Sequence, residues 1–232
     1  MTIGGLQKTT LLDYPGKISA CIFLSGCNFC CPFCHNSSLI PKNIKGLFSP
    51  EEILSLLEKR KSILDGVCIS GGEPTLQEDL PEFIRDIKKL GYLVKLDTNG
   101  TNPKMLSFLI SEKLIDAVAM DIKNSKEKYA ATCGITDQGL PFPAILSSVE
   151  LLKNTTDLYI EFRTTVIREF HHASDFKSIG EWLLGASRYV LQPFKSSDSV
   201  PLQKLHAPDY TDLKYYQKLC QNYIPSVSIR GT

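Results

Sequence analysis

Several features that would place the chain in a special class of proteins are absent from its sequence. None of the 232 residues belongs to an apolar run long enough to span a membrane, and residues 1–5 do not begin a positively charged and then apolar targeting segment. The formal net charge is only +1, without the basic excess that favours nucleic acid or anionic membranes as partners. We therefore expect a cytoplasmic protein with no nucleic-acid partner and no membrane partner.

Interior linkers and low-complexity tracts are also lacking, so the sequence gives no reason to divide the chain into domains. A length of 232 residues is enough to bury a sizeable core in one unit. We expect a single domain over residues 1–232, whose last part, about 195–232, forms an irregular C-terminal extension.

Short apolar runs rich in β-branched residues alternate with amphipathic stretches, which is typical of βα units on a parallel sheet. The predicted strands cover residues 18–24, 66–70, 92–97, 115–122, 158–166, 188–192 and 227–229. The predicted helices cover 50–61, 80–90, 103–112, 143–152, a part of 173–184, and 210–223; Ser49, Pro50 and Glu52 supply a capping box for the first. About six βα repeats, fewer than the eight of a closed barrel, predict an α/β fold in the form of a partial (β/α)6 TIM-like barrel.

The eight cysteines are unevenly distributed, since four of them lie within residues 27–34 and the others are scattered. Crowding in one short loop favours a metal site over disulfides, and thiolates are soft ligands that suit zinc or an iron–sulfur cluster. A zinc site would need residues 27–30 and 31–34 to act as two knuckles, but these abut without a spacer. Cys27, Cys31 and Cys34 instead give C-x3-C-x2-C, whose three thiolates leave one iron of a cubane open to another ligand.

This spacing directly follows the first predicted strand, and Phe33 fills the aromatic position before the last cysteine. The loop over residues 25–36 therefore resembles the cluster loop of the radical S-adenosylmethionine (SAM) superfamily. The resemblance implies one [4Fe–4S] cluster on Cys27, Cys31 and Cys34, SAM at the open iron, and a radical SAM core for the partial barrel. Cys30 departs from the pattern, and we interpret it as a bystander because a fourth ligand would close the iron that SAM needs.

The run Gly71-Gly72-Glu73-Pro74 follows the second predicted strand and is similar to the superfamily's Gly-Gly-Glu-Pro element. Glycines here would expose backbone polar groups to a closely packed ligand, and the Glu73 carboxylate can bind an ammonium group. The resemblance implies that this ammonium is the amino group of the SAM methionine. Taken alone, the same four residues would be interpreted as an ordinary turn.

Further polar residues stand where later strands end, and such ends share one face in parallel barrels. Asp97 ends one strand, and Asp121 and Lys123 end the next; by residue type alone they fit a turn and a salt bridge. They are also similar to segments of glycyl-radical-enzyme activases. That resemblance implies that Asp97 and Lys123 contact the carboxylate and ribose region of SAM, with a small monovalent cation near the aspartates.

The same resemblance extends to residues outside these strand ends. It implies that Asn36, after Cys34-His35, touches SAM, and that a histidine at His171 or His172 does so too. We select His171, although the tandem pair leaves the register open.

Two absences narrow the choice within the superfamily. The sequence has no second cysteine cluster, which argues against peptide maturases with auxiliary clusters. It also has no ferredoxin-like insert between Cys34 and Gly71. Residues 4–17, the run Cys34-His35-Asn36 and residues 228–231 closely resemble anaerobic ribonucleoside-triphosphate reductase activating proteins. The resemblance implies an oxidoreductase that cleaves SAM to a 5′-deoxyadenosyl radical and installs a glycyl radical on a large partner, the anaerobic ribonucleotide reductase. A flavodoxin- or ferredoxin-type protein would supply the electron.

Three alternatives stay open at this point. A pyruvate formate-lyase-type activase would need much the same residues, and a small-molecule radical SAM enzyme, such as one in modified-nucleoside synthesis, would share the cluster loop. The non-enzymatic alternative is a zinc-binding interaction domain.

Overall fold

Strands and helices alternate along almost the whole chain in the computed structural model, which describes residues 1–231; Thr232, the last residue of the predicted extension, lies outside them. The strands are β1 (Ile3–Thr10), β2 (Ser19–Leu24), β3 (Gly66–Gly71), β4 (Leu93–Thr98), β5 (Ala117–Asp121), β6 (Tyr159–Val166), β7 (Arg188–Pro193) and β8 (Ser226–Ile229). The helices are α1 (Pro50–Glu58), α2 (Leu80–Lys89), α3 (Pro103–Ser111), α4 (Tyr129–Thr132), α5 (Phe142–Lys153), α6 (Ala173–Trp182) and α7 (Tyr210–Cys220). From β2 onwards these elements form six βα repeats and a closing strand, which confirms the predicted α/β class.

Helix α1 illustrates how local sequence sets an element. The Glu52 N–H donates to Ser49 Oγ at 3.2 Å and the Ser49 N–H donates to the Glu52 carboxylate at 2.7 Å, so the predicted capping box is confirmed. The helix ends at Glu58 rather than at residue 61. The reason is that the Arg60 N–H turns to the Leu57 carbonyl, three residues back, at 2.9 Å, which tightens the chain out of the α-helix.

The chain forms two compact units. Unit 1 comprises Met1–Asn28, Ser38–Ala119 and Asp157–Tyr159, and unit 2 comprises Phe29–Ser37, Met120–Thr156 and Ile160–Thr232. Strand β5 begins in unit 1 and ends in unit 2. None of the helices within residues 1–231 combines the length and the apolar character that crossing a membrane requires.

In unit 1, strands β2, β3 and β4 run parallel, and their register is regular. Leu24 at the end of β2 lies opposite Gly71 at the end of β3, and Ile69 lies opposite Leu96 of β4. The carboxyl ends of the three strands are therefore level. The residues that follow each strand, which include Cys27, Glu73 and Asn99, meet at one edge of the sheet.

Strand β1 was not predicted, because Gly4, Gly5 and a polar run from Gln7 onwards lack the apolar alternation of a strand. It pairs antiparallel with β2, with Leu6 opposite Ile22, and its register shifts twice. A Cβ at Gly4 would lie 2.5 Å from the Ser25 and Leu39 side chains. A larger residue at this position would therefore have to displace those two side chains.

In unit 2, strands β6, β7 and β8 run parallel, with Phe162 opposite Tyr189 and Tyr189 opposite Val227. Helix α6 packs on α7, where the Phe176 and Tyr216 rings stack with their centroids 4.4 Å apart. These apolar contacts contribute to the core of unit 2.

Candidate functional site

The cysteine loop begins immediately after β2, and its first residues are held by backbone hydrogen bonds. In unit 1, the Gly26 N–H donates to the Leu39 carbonyl at 2.7 Å and the Cys27 N–H donates to the Ile40 carbonyl at 3.0 Å. Cys27 and Cys34 are half-buried, Cys31 is buried and Cys30 is exposed. Cys30 is thus the most exposed of the four, and its interpretation as a bystander stays a prediction.

Gly71 and Gly72 allow β3 to approach the start of this loop. A Cβ at Gly72 would lie 2.3 Å from the Gly26 carbonyl oxygen, and one at Gly71, where φ is +115°, would lie 2.3 Å from the Leu24 carbonyl oxygen. The Gly72 and Glu73 N–H groups donate to those same two carbonyls, Leu24 and Gly26 respectively, at 2.8 Å each. These glycines therefore fix the distance between the strand end and the loop.

Glu73 is 1% exposed, and protein donors surround its carboxylate. Oε1 accepts from the Thr75 N–H at 3.1 Å, the Thr75 hydroxyl at 2.5 Å and the Thr98 hydroxyl at 2.7 Å, while Oε2 accepts from the Asn99 N–H at 2.6 Å. Burial raises the pKa of Glu73, and these hydrogen bonds oppose that rise. The carboxylate thus ties the end of β3 to the end of β4.

The residues after β4 continue this network towards the cysteine loop. The Asn99 side-chain amide donates to Asn28 Oδ1 at 2.9 Å, and the Asn28 amide donates to Thr101 Oγ1 at 2.9 Å. Asn28, next to Cys27, was not singled out from the sequence, although a polar residue beside a candidate ligand was a usable signal. Asp97 is buried and forms an ion pair with Lys95, which is fully buried in β4.

In unit 2, an ion-pair group follows β5. Asp121 Oδ2 lies 2.9 Å from Lys123 Nζ, and Asp121 Oδ1 lies 3.0 Å from the Arg163 guanidinium on β6. Burial alone would raise the pKa of Asp121, but these two cations lower it to about 2. Burial alone would lower the pKa of Lys123, but the negative charges of Asp121 and Cys31 keep that pKa well above the usual range. Lys123 is therefore a fixed positive charge.

Cys31 and Cys34, two of the five cysteines in unit 2, are the predicted cluster ligands of that unit. A hydrogen bond from the Cys133 thiol lowers the pKa of Cys31 to about 7, against the effect of burial and with help from the Lys123 charge. Burial raises the pKa of Cys34, although the Asn36 N–H donates to its sulfur. Because metal ligands must be thiolates, a soft donor beside a lysine ammonium fits an iron–sulfur cluster.

The histidine pair occupies two different environments. His171 is fully buried; its Nδ1 accepts from the Ile167 N–H at 3.1 Å and its Nε2 donates to the Lys123 carbonyl at 2.9 Å. His172 is exposed and precedes α6, where its N–H donates to the Asp175 carboxylate at 2.8 Å. His171 is thus the residue that faces the Lys123 segment, and it reaches that segment through the backbone.

The predicted C-terminal extension begins against the cysteine loop of unit 2. The Leu202 N–H donates to the Pro32 carbonyl at 2.9 Å, His35 Nε2 lies 2.6 Å from the Lys195 carbonyl, and the Ser37 hydroxyl donates to the Ser199 carbonyl at 2.5 Å. The segment between β7 and α7 therefore covers one side of this loop.

The predicted site residues are divided between the two units. Unit 1 contains Cys27, Gly71, Gly72, Glu73 and Asp97, and unit 2 contains Cys31, Cys34, Asn36, Lys123 and His171. Taken singly, neither unit contains among its described residues a group of three or more His, Cys, Asp or Glu side chains placed to hold a metal ion. The ligand set Cys27, Cys31 and Cys34 therefore stays a prediction from spacing.

Comparison with known proteins identifies the family. A family model described as the radical SAM superfamily matches residues 21–169. A Methanocaldococcus jannaschii protein, named as a proposed glycyl-radical enzyme activating enzyme, is 35% identical to this chain over 232 residues, which covers 98% of this chain and 95% of that protein.

Two solved structures share the fold at low sequence identity. A radical SAM methyltransferase from Sphaerobacter thermophilus has a TM-score of 0.73 at 15% identity, covering 94% of this chain and 68% of that one. The structure of TYW1 with a lysine-pyruvate adduct bound has a TM-score of 0.65 at 19% identity, covering 88% and 73%. The chain therefore belongs to the radical SAM superfamily, whose enzymes use a [4Fe–4S] cluster and SAM.

Proposed function

We propose that this radical SAM enzyme is an activase that installs a glycyl radical on a large partner enzyme, the anaerobic ribonucleoside-triphosphate reductase. The observation that carries the proposal is the end-to-end similarity, at 35% identity, to a protein named as a proposed glycyl-radical enzyme activating enzyme. The choice of partner is supported by the N-terminal residues 4–17, the Cys34-His35-Asn36 run and the C-terminal residues 228–231.

We assign the cluster to Cys27, Cys31 and Cys34. When bound and reduced, the [4Fe–4S] cluster supplies the electron that cleaves SAM to a 5′-deoxyadenosyl radical, which abstracts hydrogen from the target glycine. The burial of Cys31 and the lysine charge beside it support this assignment. Exposed Cys30 is left as a non-ligand.

Five further residues are proposed to arrange SAM. Lys123 supplies a fixed positive charge for the SAM carboxylate, and Asp97 and Asn36 supply polar contacts. Glu73 is proposed to offer its carboxylate to the SAM ammonium and His171 to contact SAM, as the resemblance implies; their polar atoms also hold the backbone at Asn99 and Lys123 respectively. Gly71 and Gly72 keep β3 close to the loop so that these groups stay in register.

Two smaller assignments complete the proposal. A flavodoxin- or ferredoxin-type protein delivers the electron, as the activase family implies. A small monovalent cation near Asp97 and Asp121 is a prediction as well; both carboxylates already pair with cationic side chains, Lys95 for Asp97 and Lys123 and Arg163 for Asp121. Titrating SAM binding in sodium, potassium and tetramethylammonium salts tests the cation.

Electron paramagnetic resonance tests the function. The chain, reconstituted with iron and sulfide without oxygen, is reduced and mixed with SAM and an anaerobic ribonucleotide reductase of its host. We expect a glycyl doublet that requires SAM and is lost in Cys27→Ala. A doublet that forms only with a pyruvate formate-lyase-type enzyme would move the assignment to that partner.

Two other outcomes contradict the proposal. SAM cleavage without a doublet on any glycyl radical enzyme of the host would favour the small-molecule alternative. A colourless protein that keeps about one zinc per chain would favour the zinc-binding domain.

A further inference from the structure

Cys133, at the end of α4, packs against the backbone of the cysteine loop. Its N–H donates to the Tyr129 carbonyl at 2.9 Å, and its carbonyl accepts from the Cys30 N–H at 3.0 Å. The next residue, Gly134, has φ of +68°, and a Cβ there would lie 2.2 Å from the Cys30 carbonyl oxygen. The turn at Cys133 and Gly134 therefore fits the loop without space for a side chain between them.

The thiol of Cys133 is directed at the same loop. It is fully buried, and it forms a hydrogen bond with the sulfur of Cys31, the middle cysteine of the C-x3-C-x2-C motif. Two parts of Cys133 thus hold the loop: the carbonyl orients Cys30, and the thiol donates to the sulfur of Cys31. Each contact lies wholly within unit 2.

We propose that Cys133 is a positioning residue that raises the reduction potential of the cluster by donating an S–H···S hydrogen bond to Cys31. The inference rests on the proposed function, because it takes Cys31 as a cluster ligand. Reduction moves one electron from an external donor onto the cluster, so that a negative charge is added while no bond forms or breaks and the proton stays on Cys133. A donor at a ligand sulfur stabilises that added charge, and hydrogen bonds to cluster sulfurs are an established means of tuning potential.

The test measures potential rather than activity. Wild-type, Cys133→Ala, Cys133→Val and Cys133→Ser chains are reconstituted without oxygen, and the reduced cluster is followed by electron paramagnetic resonance in a redox titration without SAM. Valine approximates the size of cysteine but has no donor, and serine retains a donor. Cys220→Ala is the matched control, since Cys220 is also a fully buried thiol of unit 2 but bonds to the Phe176 carbonyl.

We expect the alanine and valine variants to have lower potentials than the wild type. At the wild-type midpoint, the ratio of reduced to oxidised cluster should fall about five- to tenfold, the change expected from losing one hydrogen bond of ordinary net strength. Tenfold corresponds to about 59 mV for a one-electron couple. The reduction potential of the serine variant should change far less, and that of Cys220→Ala should equal the wild-type value.

Several results would overturn the inference. Alanine and valine variants that load with iron and titrate with the wild type would show that the hydrogen bond does not act on the cluster. Loss of iron from the alanine, valine and serine variants together, in chains that keep their circular dichroism spectrum, would make Cys133 a ligand rather than a positioning residue. A wild-type chain without a cluster would overturn both this inference and the proposed function, whereas a loaded wild type with unchanged variants would overturn this inference alone.

Discussion

At the residue scale, Glu73 shows how one buried carboxylate can connect three parts of the chain. It accepts from Thr75, Thr98 and Asn99, and Asn99 in turn bonds to Asn28 beside Cys27. A carboxylate has only acceptor atoms, which suits a position where every neighbour donates. The residue therefore also holds together the strand ends and the loop beside the proposed SAM site.

Glu73→Gln should destabilise the fold, because the new NH₂ group would face a donor. We expect the free energy of unfolding in urea to fall by about 2 kcal/mol, the cost of one mismatched buried hydrogen bond. Glu78→Gln, at an exposed position nearby, is the control and should change the free energy by less than about 0.5 kcal/mol. Equal effects of the two substitutions would contradict the role given to Glu73.

The four clustered cysteines should separate into two classes. Cys27→Ala, Cys31→Ala and Cys34→Ala should each abolish the iron–sulfur absorption band and SAM cleavage, because the cluster has only three protein thiolates to hold it and each variant removes one. Cys30→Ala should retain both, since Cys30 is exposed. Iron analysis and absorption after anaerobic reconstitution check this. Loss of the cluster in Cys30→Ala would show that the ligand set is wrong.

At the scale of elements, His171 joins the segment after β6 to the segment after β5. Its two ring nitrogens bond to backbone groups of Ile167 and Lys123, and this arrangement uses the neutral ring with the proton on Nε2. Burial lowers the pKa of His171, although its hydrogen bonds and Asp175 oppose the change and Lys128 adds to it. A buried neutral histidine makes this connection depend on pH.

The sign of that dependence follows from linkage. Because the native pKa of His171 lies below its unfolded value of about 6.5, the unfolded chain binds the extra proton in the window beneath pH 6.5. The contribution of His171 to the free energy of unfolding should be fully present above that pH. Below it, the contribution should fall by up to about 1.4 kcal/mol per pH unit. Urea unfolding at pH 7 and pH 5.5 should show a smaller difference for His171→Gln than for the wild type. His172→Gln, at an exposed position, should retain the full difference.

Strand β6 is connected by a bidentate ion pair to Arg230, the residue that follows β8. The Arg230 guanidinium nitrogens lie 2.7 Å and 2.8 Å from the two oxygens of Glu161, which is fully buried. Arg230→Met should lower the free energy of unfolding by about 3 kcal/mol, because a buried carboxylate loses its cation. The double variant Glu161→Gln with Arg230→Met should lose less free energy of unfolding than Arg230→Met alone. Additive losses in this double-mutant cycle would show that the pair is not coupled.

At the scale of the whole molecule, similarity to a relative covers 98% of the chain, and the cofactor of the radical SAM family should contribute to its stability. The reconstituted protein should unfold at a higher temperature than the iron-free protein, because a cluster that binds only the folded chain shifts the equilibrium towards it. Anaerobic calorimetry measures the difference. Cys27→Ala, treated with iron and sulfide in the same way, should unfold like the iron-free wild type. A wild-type protein whose unfolding temperature is unaffected by the cluster would contradict the prediction.

The alternation of apolar runs and amphipathic stretches is a local property, so it predicted the class, the order and most bounds of the elements. It missed β1, because that strand depends on pairing with β2 and on close packing at Gly4. Its own side-chain pattern is not that of a strand. The cysteine spacing is likewise a local property, because the motif lies within residues 27–34, and it predicted a cluster loop there.

By itself, the sequence determined the α/β repeat, the cysteine loop and the polar residues at strand ends, because each depends on neighbours along the chain. Only the tertiary structure decided what those residues contact. Strand register brings Asn99 to Glu73 across 26 residues. Packing of the loops that follow the strands turns His171 rather than His172 towards Lys123 and buries the Cys133 thiol against Cys31. Such contacts depend on packing between distant segments, which periodicity and spacing do not encode.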